Sequence, residues 1–464
     1  MGHKKIEPKT YVVTSAQASY EIKREGDEEY YIRNGGVAKV HPQFLKGLER
    51  YCMEKDSELI ILPMNGKNAR ETIFHESLDG IDLFKGELNL NSNIKISNMK
   101  VPPQNIDPTT GRIRFAQRDR TLIYAHPKQR FRAVPSSNWK LPKLLLTTGS
   151  ITTPNYNTEN HRGDVARRDH TLGAIVIEVF DDQHYNVRHI TANKKGDFID
   201  LGKKYRGDKN SINAKADSLV FGDLHVGDTD EMTRMANYEM IEYFKPKRLI
   251  LHDVFNGHSI NPHEKDSRMS RVRAWGKGRL CLEDELQECR EELVNLSNAS
   301  KGEIYIAKSN HDIFLDRYLE RGDFLKEPWN AEISLKISYR MSKGKDPFEE
   351  GINLVGGVPK NVHFLNLRSD LKRWGYQLAS HGHKGNSGAR RSSVISRETA
   401  HGKSITGHSH TPEILRNTYI VGTSTRLDLP YTDGSASSWM AANAILYEGG
   451  QVQLIPIING IWKR

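Results

Sequence analysis

Five short clusters of carboxylate, amide and imidazole side chains lie between residues 223 and 410, each close behind an apolar run of the sequence. In chain order they are Asp223 with His225, Asp253, Asn310 with His311, His381, and His408 with His410. Oxygen and imidazole donors without a thiolate suit divalent ions such as manganese, iron, zinc or nickel. The residue types therefore predict a metal site that several parts of the chain build together.

Two of these clusters contain a pair of donors separated by one residue. In Asp223-Leu-His225 and His408-Ser-His410, the alternation of an extended strand would send both side chains to the same face. We therefore expect each pair to address one metal site.

Strand and helix patterns surround the clusters from residue 216 onward. Apolar runs such as SLVF, RLIL and EIYI predict strands, and the segments DEMTRMANYEMIEYF and CLEDELQECREELVNL predict helices between them. In open α/β sheets, ligands bind in the loops beyond the carboxyl ends of the strands. The polar clusters stand at those positions, so we expect an α/β fold with a site at the strand ends.

In this order, the five clusters resemble the pattern of the calcineurin-like metallophosphoesterase family: DxH, GDxx, GNH[DE], a single His, then GHxH. The resemblance extends over residues 216–457. It implies a catalytic β-sandwich flanked by helices. It also implies two divalent ions per chain, manganese first, with iron, zinc or nickel as alternatives, that together clamp a phosphoryl group.

The resemblance further implies a role for each residue. The ligands of one metal would be Asp223, His225 and His410, and those of the other would be Asn310, His381 and His408. Asp253 would bridge the two ions and is therefore also a catalytic residue. His311 would face the leaving group, where it would donate a proton or stabilise charge.

The sequence departs from the family pattern at two positions, because His252 and Ser309 stand where the family has Gly. The fourth motif offers both His381 and His383, and His381 is preferred because it lies closest to the end of the run YQLAS. Asp228 is expected to be a helix N-terminal residue or a loop hydrogen-bond acceptor. The remaining histidines of these loops are expected to be hydrogen-bonded loop residues: His252, His258, His263, His383 and His401.

Residues 1–215 contain several predicted strands and one predicted helix around Phe44, Leu48 and Tyr51. We interpret them as a separate N-terminal mixed α/β domain of unknown role, and residues 216–464 as the catalytic domain. The boundary is expected in the polar stretch 207–217. The Gly-, Ser- and Arg-rich segment 384–403 is the best candidate for a mobile loop.

Two basic clusters favour nucleic acid as the substrate, since cations neutralise phosphates and aromatic rings stack on bases. The first has no acidic residue and contains Arg268, Arg271, Arg273, Trp275, Lys277 and Arg279. The second, residues 111–143, has nine Lys or Arg residues against one Asp and includes Phe115, Tyr124, Phe131 and Trp139. In addition, Asp253-Val-Phe255-Asn256 resembles the DxFH motif in the nuclease subunit of double-strand-break repair complexes, with Asn256 replacing its His.

The sequence therefore predicts a metal-dependent deoxyribonuclease, of the kind that phages and bacteria use to process or degrade DNA. One alternative is a phosphatase or small-molecule phosphodiesterase of the same fold. Another is a DNA-binding scaffold with a vestigial site. The net charge of +10 suits a polyanion. Because the chain has only three cysteines and no long apolar run, we expect a cytoplasmic protein without membrane contact. If a phage encodes it, the compartment would be the cytoplasm of the host cell. A homo-oligomer is possible.

Overall fold

The chain folds as a mixed α/β structure. The computed structural model describes residues 7–33, 36–64, 71–118, 120–137, 143–262, 267–385, 387, 393–429 and 434–464. The α-helices of the described residues are α1 (Pro42–Lys55), α2 (Ile113–Arg118), α3 (His161–Asp169), α4 (Glu231–Phe244), α5 (Arg268–Gly276), α6 (Leu282–Ala299), α7 (Asn310–Arg321), α8 (Pro328–Met341), α9 (Pro347–Leu354) and α10 (Val394–His401).

The strands fall into six sheets within the described residues. Those of the first half are β1 (Lys9–Gln17), β2 (Tyr20–Glu25), β3 (Glu28–Arg33), β4 (Ser57–Met64), β5 (Glu71–Ile73), β6 (Leu88–Asn89), β7 (Ile94–Ile96), β8 (Thr121–Tyr124), β9 (His126–Val134), β10 (Ser136–Ser137), β11 (Lys143–Gly149), β12 (Gly173–Val179), β13 (Tyr185–Thr191), β14 (Phe198–Asp200), β15 (Lys203–Tyr205) and β16 (Ile212–Asn213). Those of the second half are β17 (Ala216–Val220), β18 (Arg248–Leu251), β19 (Glu303–Ile306), β20 (Val362–Phe364), β21 (Lys372–Arg373), β22 (Tyr376–Gln377), β23 (Ser404–Thr406), β24 (Glu413–Leu415), β25 (Thr418–Ile420), β26 (Ala436–Ser437), β27 (Ala442–Tyr447) and β28 (Val452–Pro456).

A six-stranded sheet in the order β20-β19-β18-β17-β27-β28 supports the candidate site. Its strands β17 to β20 are parallel, and β27 runs antiparallel to β17. Leu219 and Leu249 pack on one face against α4 and α6 to α9, whereas Val220 and Ile250 pack on the other face against a second sheet. Burial on both faces requires continuous apolar runs, which is why these strands could be located in the sequence.

The second sheet contains strands from both halves of the chain. It has ten strands in the order β21-β22-β23-β25-β24-β9-β11-β8-β7-β6. Strand β24 pairs antiparallel with β9, so that Glu413 lies opposite Arg132. Ser136 and Ser137 likewise pair with β26. The prediction of a separate N-terminal domain ending at residue 215 is therefore corrected, because backbone pairing continues across that boundary.

A third layer completes the N-terminal half. The four-stranded sheet β13-β12-β1-β4 directs Val13 and Ile175 toward the second sheet, and Val12 and Val176 toward α1, where Phe44 is fully buried. No helix within the described residues combines the length and apolar character needed to cross a membrane.

Candidate metal centre

The polar clusters that follow five separate elements come together at one edge of the structure. Asp223 and His225 follow β17, Asp253 follows β18, Asn310 begins α7, His381 follows β22, and His408 and His410 follow β23. Strands β17 and β18 belong to the six-stranded sheet, and β22 and β23 belong to the ten-stranded sheet. The two sheets therefore deliver ligand atoms to one point from opposite sides.

One group of donor atoms comprises Asp223, His225, Asp253 and His410, whose ligand atoms lie within 4.8 Å of one another and could hold a metal ion. All four residues are buried. His410 Nε2 lies 3.1 Å from Asp223 Oδ2 and 3.0 Å from His225 Nε2. His225 Nε2 is 3.5 Å from Asp253 Oδ2. Two carboxylates and two imidazoles thus face one small volume.

A second group shares Asp253 with the first and adds His381 and His408. His381 Nε2 lies 3.1 Å from Asp253 Oδ2 and 3.0 Å from Asn310 Oδ1. The amide oxygen of Asn310 is therefore in position to act as a further ligand of this group. Asp253 stands between the two groups, since its Oδ2 contacts an imidazole of each.

Each paired motif was expected to address one metal site, and Asp223 and His225 do belong to one donor group. His408 and His410 fall into different donor groups, so their motif does not address one site. The pairs lie in loops, where the backbone of His225, His408 and His410 is left-handed, with φ of 46°, 77° and 55°. Asp253 has φ 43°. Residues other than Gly rarely adopt this backbone conformation. It costs about 1–3 kcal/mol and occurs preferentially at functional sites.

The fourth motif directs His381 toward the ligand groups. The His381 ring contacts Asp253 and Asn310, whereas neither ring nitrogen of the neighbouring His383 has a hydrogen-bond partner among the described residues. His252, which stands where the calcineurin-like pattern has Gly, is fully buried behind His381, with the two Nδ1 atoms 3.4 Å apart. Its side chain therefore adjoins a ligand residue without belonging to either donor group.

The electrostatics of the site favour a bound cation. Asp223 and Asp253 each have one buried oxygen to which no residue in the described part of the chain donates a hydrogen bond. Burial lowers the pKa of His225 to about 3 and of His408 to about 4, so both rings are neutral at pH 7 and can offer a lone pair. Burial also opposes charge on His381, but Asp253 outweighs it and raises the pKa of that ring. Positive charge is stabilised at this position, as the chemistry of a metal site requires.

Ser309 and its neighbours fix the start of α7. The Ser309 side chain accepts a hydrogen bond from the Asp312 backbone N–H, and the Asp312 carboxylate accepts one from the Ser309 N–H. This capping box fixes the helix start, and with it Asn310, although Ser309 stands where the calcineurin-like pattern has Gly. The next residue, His311, has its ring 4.6 Å from the His225 ring, and its Nδ1 is 2.6 Å from the backbone oxygen of Asn256.

Asp228 forms a hydrogen-bonded junction beside the metal groups, in the role of a loop acceptor; the N-cap of α4 is Asp230. Its buried carboxylate accepts hydrogen bonds from His258 Nε2 at 2.7 Å and Asn256 Nδ2 at 3.0 Å. Arg279 Nη1 at 3.1 Å and Arg426 Nη2 at 3.2 Å also donate to it. Sequence reasoning missed the size of this junction, because its members are 28 to 198 residues away from Asp228 in the chain.

The first basic cluster forms α5 and the turn after it, and two of its cations are engaged internally. Arg271 pairs with Glu327 at 2.6 Å, and Arg279 pairs with Asp228. Both side chains attach α5 to the body of the protein, and their contact with nucleic acid stays a prediction. Arg268, Arg273 and Lys277 are exposed, and no carboxylate of the described residues pairs with them. Trp275 is exposed beside Trp329.

Part of the second basic cluster is internal. Lys128 and Arg130 are buried on β9, where Lys128 faces Asp169 at 3.3 Å and Arg130 faces Glu413 at 2.8 Å. Tyr124 and Phe131 are core residues. The predicted second phosphate-binding surface is therefore wrong for this part of the cluster, because its charges are neutralised inside the fold. Phe115 is half exposed, and Trp139 lies outside the described residues.

The segment 384–403 is only partly described. Residues 394–401 of the predicted mobile loop form α10, whose Arg397 is buried and donates to the backbone oxygen of Gly407 at 2.9 Å. Residues 386 and 388–392, together with His263 of the His-rich loops, lie outside the described residues.

Comparisons with known proteins give one relative and no family. No protein-family profile matches the chain. It is similar to Protein A1 of Escherichia phage T5, with 27% identity over 453 residues that cover 90% of this chain and 80% of that protein. No solved structure matches the chain. The similarity thus extends over both halves of the chain.

Proposed function

We propose that this protein is a metal-dependent phosphoesterase with a calcineurin-like catalytic fold that hydrolyses phosphodiester bonds of DNA. The observation that carries the proposal is the division of the buried donor atoms into two groups that share Asp253. A carboxylate between two imidazole-containing groups is the arrangement that a pair of divalent ions needs.

Two such ions, when bound, would activate a water molecule and neutralise the charge of the phosphoryl oxygens. The chain's own residues would position and protonate the reactants. Asp253 would fix the spacing of the two ligand groups, because it contacts both. His311 would act at the leaving group, since its Nδ1 is held by Asn256 and its Nε2 is the ring nitrogen left for the substrate.

The layers around the site support the calcineurin-like fold. A six-stranded sheet is covered by helices on one face and packs on the other against a sheet that also contributes ligands. Ligand residues follow the parallel strands β17 and β18 and the N-terminus of α7, in the order that the five motifs predict.

The position of α5 supports DNA as the substrate. Arg279 donates to the backbone oxygen of Gly227, two residues beyond His225, so the end of α5 lies beside the first donor group. Glu327, the partner of Arg271, also accepts a hydrogen bond from Tyr318 of α7, the helix that carries His311. These contacts connect α5 to segments that carry site residues. Arg268, Arg273 and Lys277, which no described carboxylate pairs with, would then bind phosphates away from the scissile bond.

The experiment that tests the proposal compares three substrates with Mn²⁺ and the purified protein. End-labelled single-stranded DNA and duplex DNA are incubated beside bis(p-nitrophenyl) phosphate, and cleavage is followed on gels and by absorbance. Asp253→Asn serves as the control, because it removes the shared charge; it is expected to abolish turnover and to lower the bound metal measured by mass spectrometry.

Each other result selects a different function. Turnover of the small ester without any cleavage of DNA would favour a phosphatase or small-molecule phosphodiesterase. DNA binding with no turnover of any substrate would favour a scaffold with a vestigial site. Full activity and full metal content in Asp253→Asn would contradict the proposed use of the metal centre.

A further inference from the structure

Helix α5 is amphipathic in the reverse of the usual sense. Its large apolar side chains Met269, Val272 and Trp275 are 63%, 61% and 63% exposed. The positions turned partly inward are Ser270, Arg271 and Ala274, and no residue of the helix is buried. A surface helix of a globular protein normally packs its apolar residues inward. An apolar face turned outward indicates a binding surface rather than a packing element.

The outward face of α5 combines apolar and cationic side chains. Arg268, Arg273 and Lys277 surround the three apolar residues, and no described carboxylate pairs with them. Trp275 lies against Trp329 of α8, with ring centroids 5.5 Å apart and planes inclined by 64°. Two exposed indoles in contact provide a ring face at the end of the helix. The face therefore suits an occupant that is both anionic and rich in flat apolar surface.

Duplex DNA is anionic but does not offer flat apolar surface to this face of α5. Its phosphates can bind the cations, but its base faces are stacked inside and cannot reach Met269, Val272 or Trp275. An unpaired strand offers both phosphates and open base faces, and aromatic side chains bind such bases with little dependence on sequence. The charges and the apolar residues of α5 are thus both satisfied by a single strand.

We propose that α5 binds unpaired nucleotides, with Trp275 as the stacking residue, so that the preferred substrate of the metal centre is single-stranded DNA or a DNA end with unpaired bases. This inference rests on the proposed nuclease function. Arg271 and Arg279 hold the helix in place at Glu327 and Asp228. Trp275 supports no core, and apart from the Trp329 ring its exposed face would contact only the substrate.

Binding measured without catalysis tests the inference. Fluorescence anisotropy in EDTA gives the Kd for a labelled oligo(dT) of about 20 nucleotides, longer than one single-strand site, and for a duplex of the same length. Trp275→Ala is expected to weaken oligo(dT) binding by about 5- to 150-fold, while duplex binding changes by less than about twofold. Tyr339→Ala, at a 68% exposed aromatic residue of α8, is the matched control and is expected to change neither.

Other outcomes overturn the inference. Equal weakening on both ligands would make α5 a phosphate-binding helix without base contacts. No change on either ligand, with a shift in oligomeric state by light scattering, would identify a second copy of the chain as the occupant. Both outcomes are distinct from failure of the proposed function. That failure would appear as absent cleavage with Mn²⁺ even though the strand is bound through Trp275.

Discussion

His311 donates through Nδ1 to the backbone oxygen of Asn256, with 2.6 Å between the two atoms. A carbonyl oxygen can only accept, so this contact assigns a proton to Nδ1 and leaves Nε2 for the substrate. A proton on Nε2 is then the one that a general acid would donate to the leaving group. Asn256 lies three residues beyond Asp253, on the loop that carries the shared carboxylate. The loop that carries Asp253, the residue shared by the two donor groups, therefore also orients the His311 ring.

Replacing His311 by Ala should separate catalysis from metal binding. We expect the variant to keep its metal content and to lose about 10²- to 10⁴-fold in kcat, because a general acid or charge-stabilising group contributes that much. Rates are measured at saturating Mn²⁺ and metal by mass spectrometry. His363→Ala, at an exposed imidazole paired with Glu303, is the control and should leave both unchanged. Metal loss in His311→Ala would instead make His311 a ligand.

The two histidines of the fourth motif should behave differently. His381→Ala is expected to lose at least part of the bound metal, since the ring lies 3.1 Å from Asp253 and 3.0 Å from Asn310. His383→Ala should retain it, because His383 belongs to neither donor group. Mn²⁺ titration calorimetry on both variants makes the comparison. The opposite ranking would transfer the ligand role to His383.

Removal of the three free cations of α5 should affect long substrates only. Replacing Arg268, Arg273 and Lys277 together by Gln is expected to weaken DNA cleavage and to leave hydrolysis of bis(p-nitrophenyl) phosphate unchanged. Each lost phosphate contact should reduce the slope of log affinity against log salt by about 1. The control replaces three exposed lysines of the N-terminal half, Lys46, Lys55 and Lys209, which changes the net charge equally. If the two triple variants weakened DNA cleavage equally, the effect would come from the net charge of the protein and not from a specific role of α5.

The junction at Asp228 should give a pH-dependent contribution to stability. Burial alone would lower the pKa of His258, but its hydrogen bond with Asp228 outweighs burial and raises it. The resulting stabilisation is fully present below the unfolded pKa of about 6.5, is lost as pH rises through the folded pKa, and amounts to about 1.4 kcal/mol per unit of difference. Burial alone would raise the pKa of Asp228, but His258 and Arg279 outweigh burial and lower it. The stabilisation therefore persists at pH values well below those at which a carboxyl group is usually protonated.

Urea unfolding of the wild type and of His258→Gln measures this contribution. The difference in the free energy of unfolding should be largest and constant below about pH 6, above the acid range in which Asp228 is protonated, and should shrink as the solution becomes alkaline. His184→Gln, at an exposed imidazole beside Asp181, is a control for an exposed pair of the same type and should contribute at most about 1 kcal/mol. A difference for His258→Gln that grew with pH would contradict the assigned direction.

Those features of the candidate site that depend on neighbouring residues in the sequence could be predicted from it. Residues such as Asp223 and Asp253 follow apolar strands, and parallel strands end at a common edge, so their approach follows from the pattern. The division of His408 and His410 between two groups could not be predicted from strand alternation, because the motif adopts left-handed loop conformations instead.

The fold and the charges were harder to predict for a different reason. Lys128 and Arg130 have the same residue types as phosphate-binding cations, and only their partners Asp169 and Glu413, distant in sequence, show them to be internal. The ion pairs of Arg271 and Arg279 are equally nonlocal. Composition locates charge along the chain, but the tertiary structure decides which charges remain free for a ligand.

The pairing of β9 with β24 can form only after most of the chain has been synthesised. Arg130 and its partner Glu413 are separated by 283 residues, and ribosomes add about 5–20 residues per second, so the edge of β9 waits roughly 15–60 s for its neighbour. During that interval the nascent chain presents an open strand edge, to which other chains can add. The yield of folded protein should therefore depend on translation speed and on chaperones that shield this edge.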